Sequence, residues 1–167
     1  MNGSKSFKQL PNTDTHNCFA CSPKNPSGLQ MKFFANDQSV FTWMTIPSHL
    51  CGWNNLAHGG VLSTILDEVM SWTAMYRLKC IAMTRSMTID FLKPVYIEYR
   101  LKVEGTVLEA NRQHEAFVEG SIYDAKGALC ARSKGNYAVF SPRIAQRMGI
   151  MDKPSIEWFE TVIAPSP

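Results

Sequence analysis

One long apolar segment constrains this chain more than any other feature. From Val61 to Tyr76 the only charged residues are Asp67 and Glu68. Apolar residues recur at positions 61, 62, 65, 66, 69 and 70, which is the 3.6-residue period of an α-helix. The sequence therefore predicts a helix that ends near Lys79 and is buried on most of its sides.

The rest of the chain alternates apolar and polar residues with the period of a β-strand. Two such runs, at 29–33 and 40–46, precede the helix, and four more follow it between 81 and 139. A single helix that is apolar on most sides must be wrapped by its sheet. The pattern predicts an α+β fold, in which a six-stranded antiparallel sheet surrounds one long helix.

The length and composition restrict the class of protein. A chain of 167 residues fits one domain, with a flexible segment at 1–15, the domain at 16–140 and a tail at 141–167 that packs on a sheet edge or on a partner. The net charge is only +3 and the basic residues are scattered, so we expect no nucleic-acid partner. We expect no membrane span, because no apolar run approaches about 18 residues, and no signal peptide, because no N-terminal segment is apolar in the way that a signal peptide is. The five cysteines, odd in number, fit a cytoplasmic protein.

Asp67 is the residue in the helix that most needs an explanation. A carboxylate in such surroundings is costly unless it is paired or takes part in chemistry. Helical spacing places it on one face with Gly60, Ser63 and Thr64, whereas Glu68 projects about 100° away. We therefore expect Asp67 to be catalytic, and the alternative is a carboxylate satisfied by Ser63, Thr64 or the backbone of a partner.

The start of the helix offers a second chemical feature. Helix N-termini carry free N–H groups and a positive dipole end, and a glycine pair lets a substrate approach that backbone. Gly59 and Gly60 occupy this position directly after His58. For His58 we favour a hydrogen bond that starts the helix over direct acid catalysis.

Taken together, these motifs resemble the hot-dog-fold acyl-CoA thioesterases, of the phenylacetyl-CoA and 4-hydroxybenzoyl-CoA type. The resemblance covers about residues 16–140. It rests on His58-Gly59-Gly60, on the acid nine residues after the His, on the buried helix with four following strands, and on Cys18-Phe19-Ala20-Cys21 followed by Asn25-Pro26-Ser27-Gly28-Leu29. It implies a hot-dog fold, an acyl-CoA substrate and no cofactor. It also implies a homodimer, or a dimer of dimers, with active sites at the subunit interface.

The resemblance also implies roles for individual residues. Asp67 would act as general base or nucleophile, the Gly60 N–H would polarise the thioester carbonyl, and His58 would support the site. Thr84 is the best match to the Ser or Thr that assists the water in related enzymes, although strand position alone would make it an ordinary residue. The residues expected to bind substrate are Gly59, Asn55, Ser63, Arg85 and Ser86.

The sequence departs from the family pattern at Gly52. Several members carry Asn or Gln six residues before the His, where it binds the thioester oxygen, and here that position is Gly52. Asn54 and Asn55 lie nearby but out of register. This departure favours a second hypothesis, a non-catalytic acyl-CoA-binding or sensor protein. A hot-dog hydratase is disfavoured, because no His has an Asp five residues before it.

The N-terminal cysteines raise a third possibility, a zinc-stabilised interaction module. His16, Cys18 and Cys21 offer three ligands, and His49 or Cys51 would complete a zinc site. The usual second Cys/His pair at close spacing is missing. We therefore favour a packed, reduced loop and expect no metal.

Overall fold

The computed structural model describes residues 7–111 and 114–164. The strands are β1 (Lys8–Gln9), β2 (Phe34–Ala35), β3 (Val40–Met44), β4 (Ile81–Phe91), β5 (Leu101–Asn111), β6 (Glu115–Tyr123) and β7 (Leu129–Phe140). The helices are α1 (Gly59–Leu78), α2 (Pro142–Arg147) and α3 (Lys153–Ile163), with a 3-10 turn at Ser48–Leu50.

The strands form one antiparallel sheet in the order β1-β2-β3-β5-β6-β7-β4. Helix α1 carries the chain across this sheet, so that β4 lies at the far edge beside β7 while β5 returns to the side of β3. The predicted α+β hot-dog fold is confirmed. The described sheet has seven strands rather than six, because Lys8–Gln9 pairs with Phe34–Ala35. That short strand lies inside the segment expected to be flexible.

The first strand begins later than predicted. Leu29, Met31 and Phe33 are buried, as the alternation predicts, yet the ladder starts only at Phe34. The backbone of the predicted strand bonds elsewhere, since the N–H groups of Leu29 and Met31 donate to the carbonyls of Phe19 and Ala20 at 3.0 Å. The period-two pattern therefore identified the buried face correctly, but the N-terminal loop takes the place of a neighbouring strand.

Helix α1 packs across the inner face of the sheet, and its extent agrees with the prediction. It ends at Leu78, and Lys79 caps it in the left-handed region at φ 55°. The approach to the sheet is close enough to require glycine at two strand positions. A Cβ on Gly105 would lie 2.2 Å from the Thr73 hydroxyl, and one on Gly120 would lie 2.9 Å from the Met70 side chain. Larger residues there would push α1 off the sheet.

The last helices cover one end of α1 within the same chain. Phe159 of α3 is fully buried against Ile81 and Ala145. Trp158 packs edge-on against Trp72 with ring centroids 5.7 Å apart, and its indole N–H donates to the Pro11 carbonyl at 3.3 Å. The tail therefore packs against its own helix and the N-terminal segment.

Strand β4 is a long and exposed edge. Its pairing with β7 shifts between Thr84 and Ser86, so Arg85 is an extra residue in a β-bulge. The bulge sets the faces of the strand, with Thr84 turned toward α1 and Arg85 turned away from it. Natural sheets rarely leave an eleven-residue edge uncovered, because it is a template for pairing with another strand.

Candidate active site

The Asp67 carboxylate lies between α1 and the strands β4 and β7. The Thr84 hydroxyl donates to Asp67 Oδ1 at 2.6 Å, and the Tyr137 hydroxyl lies 3.3 Å from the same oxygen. The Tyr137 hydroxyl is also 3.4 Å from the Asp67 carbonyl oxygen. Both side-chain donors reach one oxygen of a half-buried carboxylate. This leaves Oδ2 as the oxygen that no described hydrogen bond engages.

Tyr137 is a site residue that sequence reasoning missed. Its side chain is fully buried, and burial together with the nearby Asp67 charge raises the pKa of its phenol above the ordinary value. The phenol therefore stays protonated and keeps its donor role at neutral pH. The available signal was a tyrosine on the inner face of the last strand, since a buried Tyr hydroxyl needs a polar partner.

His58 caps the start of α1. Its ring Nδ1 accepts a hydrogen bond from the Gly60 N–H at 3.0 Å, and its carbonyl accepts from the Val61 and Leu62 N–H groups at 2.9 and 3.1 Å. This geometry matches the favoured helix-start interpretation of His58. The Gly60 N–H that we expected to be open for a substrate is therefore already donated to the imidazole.

Gly60 and Asp67 of one chain are too far apart to act on the same thioester carbonyl. The two residues are seven positions apart on α1, and a rise of 1.5 Å per residue separates them by about 10 Å along the axis. An oxyanion donor and a base must both lie within about 3 Å of one reacting group. Sharing a helix face therefore does not bring these two groups to the same carbonyl.

The small hydroxyl residues beside Asp67 bond to the helix backbone instead. Ser63 Oγ donates to the Gly59 carbonyl at 2.9 Å, and Thr64 Oγ1 donates to the Gly60 carbonyl at 3.0 Å. Such back-bonding is usual for Ser and Thr in a helix. The alternative in which Ser63 or Thr64 satisfies Asp67 is wrong, because the described donors to its carboxylate come from β4 and β7.

The remaining predicted binding residues are spread over different surfaces. Arg85 forms an ion pair with Glu115 on the outer face of the sheet, and Ser86 is exposed next to it in the edge strand. Gly59 lies at the N-terminus of α1, where a Cβ would be 3.7 Å from the Phe91 ring. Asn55 lines a separate cavity of about 320 Å³ together with Tyr96 and Tyr99.

The loop before the helix explains the departure at Gly52. The Gly52 N–H donates to the Leu56 carbonyl at 2.8 Å, and a Cβ at this position would lie 3.3 Å from the His58 Cα. An Asn or Gln side chain would therefore crowd the helix cap. In this chain a tight turn therefore lies at the position where several family members carry an amide side chain.

Glu68 projects from a different side of the helix than Asp67 and faces the N-terminal loop. Its Oε1 accepts from the Trp72 indole N–H at 3.0 Å and lies 3.8 Å from the Cys18 sulfur. Burial raises the pKa of Glu68 to about 7. A hydrogen bond from the Cys21 thiol lowers the pKa of Cys18 to about 5. Glu68 therefore belongs to a second polar cluster, separate from the Asp67 site.

Comparison with known proteins identifies the family that this architecture resembles. The sequence profile of the thioesterase superfamily matches residues 54–131, which contain α1, β4, β5 and β6. A curated fungal relative, verlamelin biosynthesis protein B of Lecanicillium, is 22% identical over 127 residues. That alignment covers 59% of this chain and 55% of the relative, so the chain spans about half of the curated protein it matches.

Solved structures show the same fold. A thioesterase superfamily protein superimposes with a TM-score of 0.68 at 21% identity, covering 73% of this chain and 60% of that chain. The Escherichia coli PaaI protein from the phenylacetic acid degradation operon has a TM-score of 0.62 at 19% identity, covering 68% and 81%. A hypothetical thioesterase from Streptococcus pneumoniae, solved with coenzyme A, has a TM-score of 0.58 at 19% identity, covering 63% and 83%.

These matches confirm the resemblance to the hot-dog thioesterases that the sequence motifs indicated, at the level of superfamily and fold. Among the described residues, no helix has both the length and the apolar character needed to cross a membrane.

Proposed function

We propose that this protein hydrolyses an acyl-CoA thioester to a carboxylic acid and free CoA. The observation that carries the proposal is the Asp67 carboxylate, half-buried on the central helix and fixed through Oδ1 by Thr84 and Tyr137. A carboxylate with one oxygen anchored and the other open is arranged to take up a proton or to attack a carbonyl.

In the base mechanism Asp67 removes a proton from water as the water oxygen bonds to the thioester carbon. The carbonyl electrons move to oxygen, and the tetrahedral intermediate then collapses with loss of the CoA thiolate, which takes the proton back from Asp67. In the nucleophilic mechanism an Asp67 oxygen bonds to the thioester carbon and expels the CoA thiolate, which forms a mixed anhydride. Water then attacks the Asp67 carbonyl of the anhydride, releases the carboxylic acid, regenerates the Asp67 carboxylate and supplies the proton that the CoA thiolate takes up. Turnover in oxygen-18 water separates the two, because only the nucleophilic route places the label in the Asp67 carboxylate.

The helix N-terminus supplies the donor for the developing oxyanion. We assign this role to the Gly60 N–H, with the thioester oxygen replacing His58 Nδ1 as its acceptor. The exchange trades one hydrogen bond for another, and it places the positive end of the α1 dipole at the reacting oxygen. A donor of this kind is worth about 3 kcal/mol of the reaction barrier.

The separation of about 10 Å between Gly60 and Asp67 on one helix requires that each site combine two subunits. The exposed edge strand β4 supports such an arrangement. Near one end, Thr84 contacts Asp67, and at the other end Phe91 lies beside Gly59. Antiparallel pairing of two copies of β4, with a two-fold axis near Met87 and Thr88, brings the Asp67 end of one copy to the helix N-terminus of the other. The homodimer is therefore part of the proposed function.

Related proteins support the substrate class. The Streptococcus pneumoniae thioesterase was solved with coenzyme A, and two further structures of it carry single alanine substitutions, one at an aspartate and one at a threonine. Those residue types match the Asp67 and Thr84 pair. All five cysteines of this chain are unpaired, which agrees with a reducing, cytoplasmic location.

The experiment that tests this function is thiol release from a panel of aryl, medium-chain and short-chain acyl-CoAs, followed with a thiol reagent. We expect release with at least one substrate, and loss of it in an Asp67→Asn variant. Binding of an acyl-CoA without release, by calorimetry on the same panel, would instead establish the binding or sensor protein.

A further inference from the structure

A compact group of metal-binding atoms lies outside the proposed active site. The two sulfurs of Cys18 and Cys21 and a carboxylate oxygen of Glu68 all lie within 4.8 Å of one another. We propose that these three side chains form a binding site for a divalent cation of the zinc class. Such an ion would fasten the N-terminal loop to helix α1.

The spacing of the donor atoms fits a tetrahedral ion. Zinc–sulfur bonds of about 2.3 Å and zinc–oxygen bonds of about 2.0 Å place a sulfur and an oxygen ligand about 3.5 Å apart. The Cys18 sulfur already lies 3.8 Å from Glu68 Oε1. Binding therefore requires only small side-chain rotations, and thiolate with carboxylate is a ligand set that zinc accepts.

The backbone that carries the two sulfurs is held in place independently of any ion. The Ser22 N–H donates to the Cys18 carbonyl at 3.2 Å and closes the turn between the cysteines. A Cβ on Gly28 would lie only 2.4 Å from the Phe19 carbonyl oxygen, so this glycine permits close packing of the following segment. The loop therefore presents both sulfurs toward α1 from a defined conformation.

Glu68 is oriented as the carboxylates of metal sites are. The Trp72 indole donates to Glu68 Oε1 from one turn further along the helix. Hydrogen bonds from a neighbouring group commonly fix the orientation of a metal ligand. The salt bridges formed by the described residues do not include Glu68. A cation held between Glu68 and the cysteines would supply a counter-charge for a carboxylate that is half-buried.

The cluster differs from the zinc site considered from sequence. His16 is committed elsewhere, since its Nδ1 accepts from the Cys18 N–H at 3.2 Å and its Nε2 lies 3.1 Å from Asn12 Oδ1. His49 and Cys51 are not part of the group that the described residues form. Three protein ligands leave the fourth tetrahedral position to water, and the third ligand comes from the helix instead of from a second Cys/His pair.

Cobalt substitution provides the direct test, and its readout does not depend on turnover. The reduced, chelator-treated protein is titrated with Co²⁺ and then with Zn²⁺. We expect visible bands of tetrahedral cobalt and a near-ultraviolet sulfur-to-cobalt band that saturate at one ion per chain and are lost when zinc displaces cobalt. Chelation of the zinc-loaded protein should lower its Tm.

Matched variants locate the site. Cys18→Ser, Cys21→Ser and Glu68→Gln should each abolish or strongly weaken the cobalt bands, whereas Cys51→Ser and Cys80→Ser should retain them. Circular dichroism reports whether each variant folds. If a variant does not fold, the titration of the wild-type protein still tests the proposal. The proposal is overturned if wild-type protein shows no sulfur-to-cobalt band, or if binding persists in a folded Cys18→Ser/Cys21→Ser variant. It is also overturned if the mass of the purified protein is lower by two hydrogens because of a Cys18–Cys21 disulfide, and if the reduced protein binds no metal.

Discussion

The Thr84 hydroxyl donates to the Asp67 carboxylate at 2.6 Å and so joins the edge strand of the sheet to the central helix. The two residues are 17 positions apart, on elements that meet only after the chain turns at Lys79 and Cys80. This contact fixes one carboxylate oxygen at the exposed margin of the fold. The catalytic proposal and the dimer proposal both depend on that position, because β4 is also the strand left open for a partner.

Replacing Asp67 with Asn should lower kcat by at least about 100-fold, the scale expected for loss of a general base. The amide can still accept from Thr84, so the fold should be retained, as far-ultraviolet circular dichroism and the Tm would show. Asp37→Asn, at an exposed loop acid, is the matched control and should leave turnover unchanged. Full activity in a folded Asp67→Asn protein would eliminate Asp67 as base and as nucleophile.

Thr84→Val should lower kcat by about 10- to 150-fold, because the hydrogen bond it removes is made to a charged group and is worth about 1.5–3 kcal/mol. Thr84→Ser restores a hydroxyl at the same position and should recover most of the rate. The measurement is steady-state thiol release for the three proteins. Equal rates for Val and Ser would show that the hydroxyl does not orient Asp67.

Tyr137→Phe should reduce kcat less than Thr84→Val and cost about 1 kcal/mol of unfolding free energy, because the hydrogen bond to Asp67 that it removes is 3.3 Å long and weaker than the 2.6 Å bond from Thr84. The raised phenol pKa also predicts a pH effect. In wild type the folded state resists ionisation of Tyr137, so its contribution is complete below the ordinary pKa of about 10 and is lost as pH rises through the higher folded value.

Denaturant midpoints at pH 9 and pH 11 check this sign. The midpoint of Tyr137→Phe should decrease less from pH 9 to pH 11 than the midpoint of wild type. The exposed Tyr99 provides the control, since the denaturant midpoint of Tyr99→Phe should decrease by as much as that of wild type. An identical decrease in wild type and Tyr137→Phe would contradict the assignment.

The oxyanion role of Gly60 is tested by a pair of substitutions at the helix start. Gly60→Pro removes the N–H, and the first turn of a helix tolerates proline, as Pro154 does in α3. We expect about a 100-fold loss in kcat for Gly60→Pro and a much smaller loss for Gly60→Ala, which keeps the donor. Similar rates for the two variants would show that the Gly60 N–H is not the oxyanion donor.

Mixing the same variants tests whether each site spans two subunits. An equimolar mixture of Asp67→Asn and Gly60→Pro chains, unfolded and refolded together, should recover about a quarter of wild-type activity, because half of the dimers then contain one intact site. If Asp67 and Gly60 act within one chain, the mixture stays as inactive as its components.

The dimer itself is tested at the strand position nearest the expected two-fold axis. Thr88→Asp places a charge next to its own copy, and like charges at an interface cost several kcal/mol. Sedimentation should show a dimer dissociation constant for Thr88→Asp at least about 10-fold higher than for Thr88→Ser. Activity should fall as the dimer dissociates. A wild-type protein that sediments as a monomer while remaining active would contradict the two-subunit site.

The elements that depend on local periodicity could be predicted from the amino-acid sequence. The apolar stripe of α1, its end near Lys79, the alternation of the later strands and the His-Gly-Gly start all follow from residues close together in the chain. The resemblance to the hot-dog thioesterases rests on the same spacings. Short-range patterns are readable because burial selects residue types at fixed intervals along a helix or a strand.

The contacts between side chains that are distant in the sequence could not be predicted and follow from the packing of the fold. Tyr137 lies 70 positions from Asp67, and Cys18 lies 50 positions from Glu68, so neither contact leaves a periodic signal. The commitment of the Gly60 N–H to His58 likewise depends on a side-chain conformation. Contacts of this kind are set by how elements pack, which residue spacing along the chain does not encode.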